Sequence, residues 1–381
     1  MKVGDRFHLT YCSNIHPGET WAEVSASLAD ALPRIRTLLS HDGPLAIGLR
    51  LSAQAAQSLA TGHAFDAFLD FLRSGNYYVP TINGFPYGAF HGERVKEQVY
   101  LPDWRDERRV QYTNQLATIL SRLLADRPDV EGSVSTAPGA FRANVRTTDD
   151  VRAIADGFRR HADHLRQIHD TTGRRITLAI EPEPACYLET VDDVVAFFRD
   201  HVSEPDRRYV GICFDACHMS VEYEEPLEAL RRLEQAGIRI GKFQISSALR
   251  VDVSRREALT PFADKTYLHQ VVERAPAGVT RYTDLPDALH ATHGAGAAGA
   301  EWRVHYHVPI FLGTLGALET TQSDLVALLD GLKLAAPSTG GSVCLEVETY
   351  TWDVLPAEHR NVDVCTAIAR ELTWVRRRLE S

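Results

Sequence analysis

Short apolar runs recur along this chain, and between them apolar residues return every three or four positions. The runs Phe7–Tyr11, Leu45–Leu51, Tyr77–Ile82, Gly132–Thr136, Ile176–Glu181, Tyr209–Asp215, Ile238–Ile245 and Val343–Glu348 read as strands, several of them apolar on both faces as in a parallel sheet. The intervening stretches read as helices. Thr20 and Glu23 form a capping box ahead of Trp21–Leu39, and Val151, Ile154, Ala155, Phe158, Ala162, Leu165 and Ile168 make one apolar stripe. A last helix carries Val364, Ile368, Leu372, Val375 and Leu379 on one side. Eight alternating βα units predict an α/β fold, a (β/α)8 barrel formed by residues 1–381 as one domain. A doubly wound open sheet competes less well, because no GxGxxG turn follows an early strand.

Two connections exceed ordinary loops. Asn83–Trp104 follows the third strand, and 246–309 is a long insertion after the seventh, expected to carry its own substructure and to serve as a lid or pocket wall. It contains His269, Arg274, Tyr282, Trp302, His305 and His307.

Three strands end on acids. ITLAI runs into Glu181 and is stopped by Pro182; VGICFD ends on Asp215, with His218 three residues on; the eighth ends on Glu346 and Glu348. In parallel α/β folds these ends converge at one edge, where the chemistry sits. A buried lone carboxylate costs several kcal/mol, so the set calls for a cation; the competing explanation, an arginine partner for each acid, weakens as the number of acids grows. Oxygen-rich donors with imidazole suit Mn²⁺, Zn²⁺ or Mg²⁺. Glu346, at the strand position equivalent to Glu181, is the favoured ligand, with Glu348 the alternate on the same face. The strand period also turns Gln244 inward as a fourth donor, by its carbonyl or from a second layer. His305 and His307 share one side of VHYHVP, which marks His307 for metal or substrate and His305 for the pocket. Asn14, His16, His91 and Lys96 are further pocket-wall candidates. Phe85, Tyr87, Phe90, Trp104, Trp302 and Trp352 could build an aromatic pocket, although packing explains loop aromatics more often.

Composition narrows the function classes. A net charge of −10 gives no broad attraction to nucleic acid or to an anionic membrane. The amino terminus lacks an apolar secretory core, and no segment approaches membrane-span length, so a cytoplasmic protein without membrane insertion is expected. Six scattered cysteines lack zinc-ribbon or disulfide-scaffold spacing; Cys213 and Cys217, flanking Asp215, leave a thiolate ligand open. His293–Ala300 is the one low-complexity block. The partner expected is a small-molecule substrate or metabolite; subunit number stays open, a homo-oligomer included.

Glu181 after LAI, Asp215-x-x-His218 after GICF and Glu346 in the last strand resemble the xylose isomerase-like barrel superfamily of sugar isomerases, sugar epimerases and endonuclease IV. More closely, YCSNIHPGETW, STAPGAF, FQISSAL, HYHVP and CLEVETYTWDVLP look like the EboE family of metabolite traffic proteins, along essentially the whole chain. The resemblance implies a metal held by Glu181, Asp215, position 244 and Glu346; this chain has Gln244 where the epimerases have histidine. It also places His218 beside substrate or metal and makes Glu181, Glu346 and His218 the catalytic set. The implied reaction is isomerase or epimerase-like proton transfer beside a carbonyl of a polyhydroxylated small molecule, a sugar or sugar phosphate. Metabolite binding without conversion and, with less support, phosphoester hydrolysis are the alternatives.

Overall fold

The structure is a computed structural model and describes residues 1–91, 95–291, 299–334 and 342–381; most of the His293–Ala300 block lies outside them. Eight parallel strands follow one another in the order Phe7–Tyr11, Val343–Val347, Ile240–Ile245, Val210–Asp215, Ile176–Ile180, Gly132–Thr136, Tyr77–Asn83 and Leu45–Arg50. Ladders join each neighbouring pair, and a single parallel bridge from Cys12 to Gly48 links the last strand of this order to the first, so the sheet is a nearly closed barrel. Lys2–Val3 adds a short antiparallel edge beside Phe7–Tyr11.

The helices form where the sequence pattern places them. Thr20 caps Trp21–Leu39 by accepting from Glu23 N, while the Glu23 carboxylate accepts from Thr20 N, and the helix buries Val24, Leu28, Leu32, Ile35 and Leu39 against the barrel. Thr148–Thr172 buries Ile154, Phe158, Ala162, Leu165 and Ile168 and ends at Gly173, whose φ of 69° is the left-handed turn that glycine adopts without penalty. The outward faces of the strands and the inner faces of the helices make one continuous apolar core.

The barrel interior is polar. Ser133 Oγ donates to Thr81 Oγ1, Thr10 Oγ1 donates to Ala46 O, and Lys242 reaches both Ser135 Oγ and the carboxylate of Glu346. Small residues make room at this level: a Cβ on Gly48 would lie 1.6 Å from Glu346 Oε1.

The long connection after the seventh strand carries a second, six-stranded antiparallel sheet. Its strands are Leu249–Asp252, Val271–Ala275, Gly278–Tyr282, Glu301–Val304, Thr314–Leu315 and Leu318–Thr320, so this substructure runs beyond 309 to Thr320. It is tied to the loop after the third barrel strand. Val95 N and Lys96 N donate to Thr266 O, and Lys96 Nζ pairs with Asp284 at 2.6 Å. Those two loops wall one end of the barrel. Among the described residues, no helix is long and apolar enough to cross a membrane.

Candidate metal centre

Glu181 follows the fifth strand at the point where Pro182 ends it. Asp215 closes the sixth strand and caps the helical turn Ala216–Val221: its Oδ1 accepts from His218 N at 2.9 Å and from Ser246 Oγ at 2.8 Å. Its Oδ2 has no hydrogen-bond partner among the described residues, lying 3.9 Å from His218 Nε2, and Glu181 Oε2 and Glu183 Oε2 likewise accept no hydrogen bond among them. Glu348, just past the eighth strand, accepts at Oε1 from Asn14 Nδ2 (2.8 Å) and Asn83 Nδ2 (3.1 Å). Glu181, Asp215 and Glu348 bring one carboxylate oxygen each to within 4.8 Å of one another.

The insertion supplies imidazoles to the same place. His218 Nε2 is 3.1 Å from His305 Nε2, which is 3.3 Å from His307 Nε2. Each ring has spent its other nitrogen on an oxygen that can only accept: His218 Nδ1 donates to Pro182 O at 2.9 Å and His307 Nδ1 to Glu348 O at 2.8 Å. For His305 the acceptor is Gln270 Oε1, because the Gln270 amide nitrogen already donates to Tyr100 Oη and Pro184 O. A neutral ring with its proton on Nδ1 carries a lone pair on Nε2, so three lone pairs converge. Burial, then the neighbouring imidazoles, hold the His305 pKa well below the usual value; burial foremost brings His307 to about 4. At neutral pH those two rings have no proton to share.

The acids are shifted in the opposite sense. Burial, then Glu348 and Asp215, push Glu181 well above the carboxylate range; burial, then Asp215, raise Glu348 to about 8; burial brings Glu183 to about 7. Depressed histidines beside elevated carboxylates describe a site that resists protons on nitrogen and negative charge on oxygen together. A dication relieves both, since it binds lone pairs and neutralises carboxylates. The residues therefore fit a divalent metal: Asp215, His218 and His307 form one close donor group, Glu181, Asp215 and Glu348 a second, and Glu183, His218 and His305 a third. Cys217 Sγ lies within the same reach of His305 and His307, although burial pushes its thiol pKa up.

The other expected residues divide between the cleft and positions away from it. Glu346 is wholly buried one step inside the barrel and is spoken for by Lys242, its charge partner. Gln244 lies between Asp215 and Glu346 in register, its amide atoms buried and unpartnered among the described residues. Asn14, Lys96 and His305 line the cleft, with Lys96 already paired to Asp284. His91 stands behind that wall, bonded to Asn14 O and to Tyr267 Oη at 3.0 Å. His16 bonds Tyr11 Oη beside a separate small hollow with Pro17 and Gly18. Trp352 is buried in the core. Of the aromatic set, Phe85 and Phe90 line the cleft; Tyr87 packs on Tyr112, Trp104 on Phe158 and Trp302 near Tyr282. Glu183 and Gln270 were not singled out by sequence; the signal for Glu183 was its place on the same face as Glu181, two residues on.

Comparison with known proteins agrees with this architecture. No curated protein matches the sequence. Among the solved structures that share the fold at low identity, three illustrate it. A xylose isomerase-like TIM barrel protein from Mycobacterium smegmatis in complex with magnesium aligns with TM-score 0.56 and 12% identity, covering 100% of this chain and 98% of that one. The probable 3-DHS dehydratase AsbF of Bacillus anthracis aligns at 0.52 and 12%, covering 96% and 98%. A D-psicose 3-epimerase determined in the presence of D-fructose aligns at 0.51 and 13%, covering 98% and 100%. The family model for xylose isomerase-like TIM barrels matches residues 61–323, more than half of the sequence, and the chain belongs to that family.

Proposed function

We propose that this protein is a divalent-metal-dependent enzyme of the isomerase or epimerase kind, moving a proton beside the carbonyl of a small oxygenated substrate. The observation that carries the reading is the meeting of three imidazole lone pairs and three carboxylates in one buried cluster open to a cleft. Asp215, His307, Glu181 and Glu348 would hold the cation, with His218 and His305 beside it and Gln244 within the same layer. Zn²⁺ or Mn²⁺ suits the nitrogen-rich side, and Mg²⁺ the carboxylate side. Such an ion, when bound, polarises substrate oxygens and acidifies the neighbouring carbon.

Glu181 and Glu348 come from the ends of the fifth and eighth strands and both line the cleft, so that one would take a proton from the substrate carbon and the other return it. Asn14 and Asn83 fix the Glu348 carboxylate. Glu348 fills this role better than Glu346, whose charge is met by Lys242. A sugar-type substrate has support from the D-psicose 3-epimerase of the same fold, and the magnesium complex supports a metal.

The test is metal analysis of the purified protein, together with exchange of substrate carbon-bound hydrogen in D2O. Bound dication, and exchange lost in Glu181→Gln with the fold intact, are expected. A protein that takes up no Zn²⁺, Mn²⁺ or Mg²⁺ sinks the reading. A second reading, metabolite carriage as the EboE resemblance implies, draws on the apolar walls of the cleft; tight retention of a small molecule with no exchange would favour it.

A further inference from the structure

Glu181, Glu183, His218, His305 and Glu348 face a narrow cleft whose other walls are of another character. Phe85, Phe90, Val99, Tyr267, Leu268 and Tyr350 line it. Phe90, Tyr267 and Tyr350 pack together with centroids 5.1–5.2 Å apart as a small core of their own. The hydroxyl of Tyr267 is bonded to His91 Nδ1, and that of Tyr100, a further lining residue, to Glu183, which leaves their rings for contact. Among the described lining residues the one cation is Lys96, and Asp284 holds it; Glu181, Glu183 and Glu348 are acids.

Away from the donor cluster, a phosphate or carboxylate group would find no free positive side chain among the described wall residues. A ligand hydroxylated all round would leave its outer hydroxyls desolvated against aromatic carbon with no hydrogen-bond partner, which is unfavourable. We propose that the ligand has two parts: adjacent oxygens that reach the metal centre, and an uncharged, apolar, ring-sized body held between Phe85, Tyr267, Leu268 and Tyr350. This deepens the proposed function and rests on its metal.

The experiment uses two chelating probes on the zinc-loaded full chain, acetohydroxamate and benzohydroxamate, which share a head and differ in the ring. Calorimetry should show benzohydroxamate binding at least about tenfold tighter, and Phe85→Ala, at a half-exposed position, should reduce that ratio to about threefold or less. Val99→Ala, a smaller change, should reduce the ratio in the same direction. Equal affinities overturn the apolar body while leaving the metal centre standing. A large ratio untouched by either substitution places the ring elsewhere and overturns it as well. Failure of both probes to bind the zinc-loaded protein overturns the metal reading and this inference with it.

Discussion

His218 and His305 face each other through Nε2 atoms 3.1 Å apart, one from the turn after the sixth barrel strand and the other from the insertion. Each donates its Nδ1 hydrogen to a fixed oxygen and turns an Nε2 lone pair on the other, so the pair is a repulsion awaiting a positive charge. Removing any added metal with a chelator should lower the melting temperature of the wild-type protein, and Zn²⁺ should restore it. In His305→Ala, with one lone pair fewer, the metal-free protein should lose less stability than the metal-bound form, so the zinc-dependent rise shrinks. A rise of unchanged size would mean that His305 plays no part.

Glu181→Gln should separate stability from metal affinity. Burial and its acidic neighbours oppose the charge on Glu181, so the neutral amide should make the metal-free protein at least as stable as wild type. Zn²⁺ affinity should fall by at least about tenfold, in line with the effect of altering groups around a metal site. Competition with a chromophoric chelator measures the second quantity and denaturant titration the first.

Lys242 and Glu346 neutralise each other inside the barrel, where neither reaches water. Burial works against the lysine's charge, yet the acids around it, Glu346 foremost, hold its pKa well above normal. Lys242→Met should cost about 3–5 kcal/mol by stranding a carboxylate, and adding Glu346→Gln should recover much of that loss. Urea unfolding of the two single variants and the double variant tests the coupling.

Glu371, in the final helix, accepts from Ile310 N and Thr349 Oγ1, and burial raises its pKa to about 7. A carboxyl raised in the folded state above its ordinary 4.5 favours folding fully below pH 4.5 and gives up that contribution as pH climbs through 7. Relative to Glu371→Gln, wild type should therefore lose about 2–3 kcal/mol of stability between pH 5 and pH 8. Parallel pH dependence of the two proteins would contradict this placement.

Gly48→Ala would set a methyl group against the Glu346 carboxylate and within 2.7 Å of Tyr11 O. About 1–3 kcal/mol of destabilisation is expected, read from the shift in the urea midpoint.

The strand ends were legible because period and punctuation act locally: Pro182 stops the fifth strand at Glu181, and Asp215 serves at once as strand end and helix cap. The different depths of Glu346, paired with Lys242, and Glu348 were not legible, since a period of two turns both inward and depth is set by the stagger of neighbouring strands. The missing clue was Lys242, inward on the adjacent strand by the same period and in need of a counter-charge. The convergence of His305 and His307 on His218 depends on how the second sheet docks, which no local pattern encodes. Short strands such as Leu249–Asp252 and Leu318–Thr320, separated by long irregular stretches, gave too little periodicity to reveal that sheet.

The donor atoms straddle two sheets, the barrel giving the acids and His218, and the segment that follows Glu301–Val304 of the antiparallel layer giving His305 and His307. An ion seated there would work as a clasp: its loss would loosen the strands of the antiparallel layer, and amide exchange in those strands would speed up while the barrel strands stayed protected.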